Sequence, residues 1–247
     1  MFPLIQENGD NWRFEYKYRL TYQQYLCVRS AILPYMKKDR YTLVRTGGRY
    51  PVRSLYFDTD DLKNYEEKVN GDCDRIKLRI RSYSKTPPEG MNLRVELKVR
   101  KGMAMEKYST WIDHQAYLDF MASGHWDTLP DAILQEFERY VHLKEQNPKI
   151  IVEYLREGYL SRGREPLRIT FDHKVKSAHA DFLFPDQTFF RQHYPGFIVL
   201  EIKCDRQQPY WLRELVQDQA LCIVANSKYS QGIEIALPEV VRSTWSS

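Results

Sequence analysis

Residues 75–81 read Arg75-Ile76-Lys77-Leu78-Arg79-Ile80-Arg81, and residues 93–100 read Leu93-Arg94-Val95-Glu96-Leu97-Lys98-Val99-Arg100. Both stretches alternate strictly, so both are strands with one apolar and one charged face. Any half-buried antiparallel strand shows such alternation, with its charges in water. The sign of the charge sets these two apart. Arg75, Lys77, Arg79 and Arg81 follow one another on one face at roughly 6.6 Å intervals, and Arg94, Lys98 and Arg100 continue the series. Like charges directly opposed destabilise a sheet. At an effective dielectric near 20, two unit charges about 4 Å apart cost roughly 4 kcal/mol. Such a face is tolerated if it is open to water or occupied by an anion of high charge density.

Period-two patterns recur on both sides of these stretches. They run through Arg13-Phe14-Glu15-Tyr16-Lys17-Tyr18, Ser54 to Asp58, Lys107 to Trp111, Lys149 to Arg156, Leu167 to Asp172 and Phe197 to Lys203. That makes about eight strands, joined by hairpins or short helices, and hence an antiparallel sheet. Helices are few. Thr21 to Gln24 reads as a capping box, followed by apolar Tyr25, Leu26, Val28, Ile32, Leu33 and Met36. Asp113 caps a helix that runs to Gly124. Pro130 opens another, stopped by Asn147-Pro148, and Pro209 opens a fourth that Trp211 anchors on the sheet. Thr86 to Gly90 reads as a loop. Asp58-Thr59-Asp60-Asp61 reads as a helix-capping turn. Gly47-Gly48 is a turn, since it lacks the Gly-x-x-x-x-Gly-Lys setting of a phosphate loop.

Carboxylates share the basic faces: Glu15 lies between Arg13 and Lys17, Glu96 between Arg94 and Lys98, and Glu201 two residues before Lys203. Ion pairing within the sheet accounts for such residues. So does a site that clamps phosphate oxygens with cations and holds a hard divalent metal with carboxylates. About eight strands can close into a barrel. With the charged face inward the lumen stays wet, and the apolar faces lie outside under amphipathic helices. The expected fold is therefore α+β: an eight-stranded antiparallel barrel tunnel with a charged interior and flanking helices, over residues 1–247 as one domain.

The composition fits. The 247 residues are 43% hydrophobic and 28% charged, with a net charge of +4 that implies no polyanion by itself and with 18 tyrosines. Disorder and a membrane span are excluded by these figures and by the absence of a long apolar run. Met1 to Glu7 has no signal-peptide pattern. The four cysteines, Cys27, Cys73, Cys204 and Cys222, are scattered, so the expected compartment is a reducing cytoplasm. The six histidines show no metal-ligand spacing and read as surface or core residues.

Taken together, Arg13 to Tyr18, Val52 to Thr59 and Arg75 to Arg81 resemble the catalytic domain of the vacuolar transporter chaperone (VTC) polyphosphate polymerases. These are triphosphate tunnel metalloenzymes, relatives of the CYTH domains. The likeness continues through Val95-Glu96-Leu97-Lys98, Tyr154-Leu155-Arg156-Glu157, Arg168 to Asp172, Leu200-Glu201-Ile202-Lys203 and Ser227-Lys228-Tyr229-Ser230, from about residue 12 to 235. CYTH enzymes open with Glu-x-Glu-x-Lys. Here Arg13 stands in place of the first Glu, which favours the VTC branch. Eukaryotic VTC proteins also carry an SPX sensor domain and membrane helices. Neither pattern occurs in these residues, so regulation through them is not carried over.

The resemblance implies a tunnel that binds a triphosphate unit and uses Mn2+ or Mg2+. It implies phosphate contacts from Lys17, Arg75, Lys77, Arg79, Arg81, Lys98, Lys107, Arg156, Arg168, Lys203 and Lys228. Of these, Arg79, Lys98, Arg156, Lys203 and Lys228 are assigned to catalysis. Glu201 is the leading metal ligand, with Glu15 and Glu96 assisting. The implied activity is a metal-dependent phosphotransferase: a polyphosphate polymerase that moves the γ-phosphate of ATP onto a growing chain. A tri- or polyphosphatase or nucleoside triphosphatase in the same tunnel is the alternative, and a non-catalytic polyphosphate binder the third. Nucleic acid is not an expected partner, because the aromatics alternate onto the face opposite the cations and cannot stack bases beside them. A membrane partner that receives the polymer is left open.

Overall fold

The computed structural model describes residues 14–90, 92–102, 104–126, 131–205, 207–239 and 241. Ten strands form one antiparallel sheet: β1 (Phe14–Leu20), β2 (Met36–Lys38), β3 (Tyr50–Asp58), β4 (Arg75–Ser82), β5 (Leu93–Lys101), β6 (Ala104–Ile112), β7 (Asn147–Ser161), β8 (Leu167–His179), β9 (Arg191–Gln192) and β10 (Ile198–Cys204). Eight of them follow the order β1-β10-β8-β7-β3-β4-β5-β6, while β2 is added to β7 and β9 to β8. The expectation of a closed eight-stranded barrel needs correction here. The two short strands enlarge the sheet, and among the described residues no backbone ladder joins the edges β1 and β6. The sheet is nonetheless rolled, because side chains from all eight strands of the path line one cavity.

Register brings the cations of the two deciding strands face to face. In the β4–β5 ladder, Lys77 lies opposite Lys98, Arg79 opposite Glu96 and Arg81 opposite Arg94. Lys98 in turn lies opposite Lys107 of β6. On the other side, Lys17 of β1 is opposite Glu201 of β10, and Lys203 is opposite both Glu15 and Arg168.

The helices are α1 (Tyr22–Ile32), α2 (Arg40–Leu43), α3 (Lys63–Val69), α4 (His114–Ser123), α5 (Ala132–Leu143), α6 (Tyr210–Asp218) and α7 (Lys228–Ala236). Thr21 and Gln24 form the expected capping box of α1. Met36, read from sequence as the end of that helix, instead starts β2. Asp113 caps α4, and Gly124 closes it in the left-handed conformation at φ 78. The cap of α5 is Asp131, with its carboxylate on the amides of Ile133 and Leu134; Pro130 lies outside the described residues. At the turn before α3, the Asp58 carboxylate accepts from the amides of Thr59, Asn64 and Tyr65.

The apolar mass forms three clusters, two outside the rolled sheet and a third on the inner face, beside the cavity-lining Tyr50, Tyr56 and Tyr154, which corrects the expectation that every apolar face lies outside. One joins α4 and α5 to β3, β4 and β5 through Leu78, Ile80, Val95, Leu97, Phe120, Leu134 and Phe137. A second joins α1 and α6 to β1, β8 and β10 through Tyr18, Val28, Ile32, Ile169, Leu200 and Leu212. A third holds Val52, Tyr65, Ile150, Val152, Tyr229 and Ile233 under α3 and α7. Fully burying a side chain of this size contributes ~1.5–3 kcal/mol. The outer face is not uniformly apolar. Glu153 pairs with Arg53 at 2.6 Å and Lys176 at 3.0 Å, and Glu157 is held by Tyr25, Arg29 and Tyr159.

Candidate functional site

A cavity of about 280 Å³ fills the hollow of the sheet. Its basic lining comes from Lys17 on β1, Lys77, Arg79 and Arg81 on β4, Arg94 and Lys98 on β5, and Lys107 on β6. Arg156 on β7, Arg168 on β8, Lys203 on β10 and Lys228 at the start of α7 complete it. Two carboxylates, Glu15 and Glu201, share that wall. The alternation of each strand explains the placement: odd-numbered cations of β4 point in while Leu78 and Ile80 point out to the helices.

Two further carboxylates stand behind the cations rather than among them. Glu96, 1% exposed, takes Arg79 at 2.5 Å, Lys107 at 2.5 Å and Arg81 at 3.5 Å. Burial would raise its carboxyl, but these cations hold it well below the usual carboxylate range. Asp172 is fully buried and grips Arg156 with both oxygens, at 2.6 and 2.8 Å, with Lys228 at 2.6 Å. Burial opposes the charges of Arg156 and Lys228, yet Asp172 keeps both above their ordinary pKa. Both carboxylates therefore fix the direction of cations whose outer atoms face the cavity.

The lysines of the wall respond differently to burial. Burial, and then the neighbouring charges of Lys98 and Arg75, push the Lys77 ammonium down to about 7. Desolvation outweighs Glu96 at Lys107, which is lowered to about 8. Lys98 is lowered by burial too, although Glu15 opposes the shift. Glu15 lies 2.7 Å from Lys17, and Glu201 lies 3.2 Å from Lys203. Burial and the charge of Glu201 raise Glu15, but the lysines around it prevail and keep it ionised. Glu201 is likewise held well below the usual range, by Lys203 and Lys17 against its burial.

Of the positions expected from sequence, Lys17, Lys77, Arg79, Arg81, Lys98, Lys107, Arg156, Arg168, Lys203, Lys228, Glu15 and Glu201 meet in this cavity. Two do not line it. Arg75 sits at the start of β4 and donates to the carbonyls of Glu67 and Lys68, where it caps the end of α3. Glu96 is turned behind the wall, where Arg79, Arg81 and Lys107 converge on it as a counter-ion. Glu15 and Glu201 do fit a hard divalent ion: both are ionised, both offer carboxylate oxygen, and both face the hollow.

The sequence reading also missed residues. Arg94, Tyr41, Tyr50, Tyr56, Tyr83, Tyr154, Tyr229, Thr170, Asn226 and Ser227 line the cavity as well. The separation of aromatics from cations fails at these tyrosines. Arg79 donates to the Tyr56 hydroxyl at 3.0 Å. Against its burial, Arg79 and Arg81 hold the Tyr56 phenol below its ordinary pKa. Tyr41 and Tyr83 stack with centroids 5.4 Å apart. A signal was present: Tyr154 is two residues from Arg156 and shares its face. Asp172 lacked one, because its value depends on Lys228, far along the chain.

The comparisons with known proteins follow the same lines. The VTC domain family matches residues 12–237. A candidate adenylate cyclase of Bacillus halodurans shares the fold at 14% identity and a TM-score of 0.52, over 86% of this chain and 92% of its own. HpAC1 of Hippeastrum, a candidate adenylyl cyclase with a dominant triphosphatase activity, shares it at 16% identity and a TM-score of 0.52, over 92% of this chain and 97% of its own. No curated protein sequence matches. Among the described residues no helix is long and apolar enough to cross a membrane.

Proposed function

Because the chain belongs to the VTC domain family, which matches it over residues 12–237, we propose that the cavity binds a triphosphate or polyphosphate chain and that the protein is a polyphosphate polymerase using ATP as donor. One observation carries the reading: among the described residues, Lys17, Lys77, Arg79, Arg81, Arg94, Lys98, Lys107, Arg156, Arg168, Lys203 and Lys228 line one hollow with two carboxylates, Glu15 and Glu201. Even with Glu96 and Asp172 behind the wall, cations exceed carboxylates around the hollow, so a polyanion is its natural complement.

Phosphoryl transfer asks a protein for positioning and charge neutralisation more than for covalent chemistry. Arg79 and Arg156, aimed by Glu96 and Asp172, present planar forks that match phosphate oxygens two at a time. Lys98, Lys203 and Lys228 supply point charges around them. An oxygen of the terminal phosphate of the growing chain attacks the γ-phosphorus of ATP, the bond from that phosphorus to the bridging β,γ-oxygen breaks, and ADP leaves. The attacking oxygen is already anionic, so no strong general base is required. Glu15 and Glu201 would hold a divalent ion, Mn2+ or Mg2+, which when bound neutralises further charge on the phosphates.

The test is incubation of the pure protein with ATP and Mn2+ or Mg2+, with products separated on a gel. Chains that lengthen as ADP accumulates support the reading. Accumulation of inorganic phosphate without chains would replace it with hydrolysis, the activity named for the Hippeastrum neighbour. Glu201→Gln is expected to lower metal-dependent turnover at least ~100-fold while tripolyphosphate affinity falls less than tenfold, the split of a residue that acts on the transition state.

A further inference from the structure

Outside the cavity, the fold brings together three metal-ligating side chains that are dispersed in the sequence. His125 follows α4, while Glu138 and His142 are one turn apart on the same face of α5. One donor atom from each lies within 4.8 Å of the other two. His125 Nδ1 is 2.7 Å from Glu138 Oε1, and the two imidazoles stack with centroids 4.9 Å apart.

The surrounding backbone holds the set in place. The Trp126 amide donates to Glu138 Oε2 at 2.9 Å, which fixes the carboxylate. His142 Nε2 is 3.0 Å from the Gly124 carbonyl oxygen. A carbonyl only accepts, so Nε2 carries the proton and Nδ1 keeps its lone pair. Metal-ligating histidines are oriented by such an outer carbonyl. Gly124 also provides the space, since a Cβ there would meet His142 Cε1 at 3.3 Å.

We propose that His125, Glu138 and His142 form a transition-metal site, suited to Zn2+, that fastens the end of α4 to α5. Two imidazoles and one carboxylate are borderline donors that select Zn2+ over Mg2+ or Mn2+. Ligands about 2.0 Å from a tetrahedral zinc lie ~3.3 Å apart, so the three atoms have to close by about 1.5 Å at most. The His125 side chain is 55% exposed and free to make that adjustment. The ion takes the place of the hydrogen bond between His125 and Glu138. The fastened helix α5 packs on β5 and β6, the strands that bring Lys98 and Lys107 to the cavity. The site does not depend on the polymerase reading.

The test is calorimetric titration of the full chain with Zn2+ in saturating Mg2+, which keeps the cavity carboxylates occupied. The wild-type chain is expected to bind one Zn2+ that Mg2+ does not displace, with Tm raised by roughly 5–10 °C at a hundredfold excess over Kd. His125→Ala and His142→Ala are each expected to weaken that binding at least ~10-fold and to abolish the Tm shift, with tripolyphosphate affinity unchanged. Glu138→Gln retains an acceptor for the Trp126 amide, so it tests the ligand without the fold. Equal Zn2+ affinity in all four proteins, or displacement of Zn2+ by Mg2+, would overturn the proposal.

Discussion

Glu96 shows how much of the site rests on a residue that never touches the cavity. It was legible in the sequence as a carboxylate on a basic strand, and its partners Arg79 and Arg81 are two positions apart. What the sequence did not tell is that three cations converge on it from behind the wall. Replacing Glu96 with Gln leaves Arg79 and Arg81 facing one another with no counter-charge. Breaking a buried pair in this way costs ~3–5 kcal/mol, so the variant is expected to unfold at clearly lower temperature, with tripolyphosphate restoring most of the loss. A Tm equal to wild type without ligand would contradict the counter-ion role. Lys77 carries the second prediction at this scale. Its folded pKa is lowered to about 7, so it is charged below that pH and neutral above it, and a bound polyanion pulls the proton back. Triphosphate affinity should thus weaken, by roughly tenfold, as pH rises from 6.5 to 9. Titration calorimetry across that range checks it, and in Lys77→Met the dependence should become shallower, with Lys107, lowered to about 8, carrying the remainder.

At the scale of the elements, β4 and β5 could be read almost completely, because period-two alternation and the sign of the charge are both local. The tyrosines were misplaced for a related reason. A phenol is amphipathic and suits either face, so Tyr50, Tyr56 and Tyr154 could be assigned only from the parity of their own strands. Helix α7 escaped the sequence reading altogether: Lys228-Tyr229-Ser230-Gln231-Gly232 has no clear apolar period and contains glycine. The structure supplies the reason for that glycine. A Cβ at Gly232 would meet Ile150 Cδ1 at 2.6 Å and Ser177 Oγ at 2.8 Å. The helix lies close on the sheet and so delivers Ser227 and Lys228 to the cavity. Gly232→Ala gains helix propensity but overpacks this contact, with a net cost of about 1–2 kcal/mol. Lifting the helix should also weaken triphosphate binding, which links packing to the site. Unchanged stability and binding would show that the close approach is dispensable.

For the whole molecule, a net charge of +4 conceals a sharp partition. The outer surface mixes signs, while the hollow gathers cations from β1, β4, β5, β6, β7, β8, β10 and α7. The sequence pointed to the rolled sheet with an inward basic face because the apolar residues of the strands needed helices to cover them. It overstated closure, since strand counting cannot see whether two edges pair. It also separated His125 from Glu138 and His142, whose meeting depends on how the end of α4 lies against α5. The central claim is that the hollow exists for a chain of phosphates, and binding tests it more directly than turnover. In calorimetric titration with tripolyphosphate the account predicts one tight site per chain. That site should weaken at least about tenfold between 50 and 200 mM salt, because bound phosphate releases counterions, and at least tenfold in Arg79→Ala. Absence of binding, or an affinity indifferent both to salt and to Arg79, would contradict it.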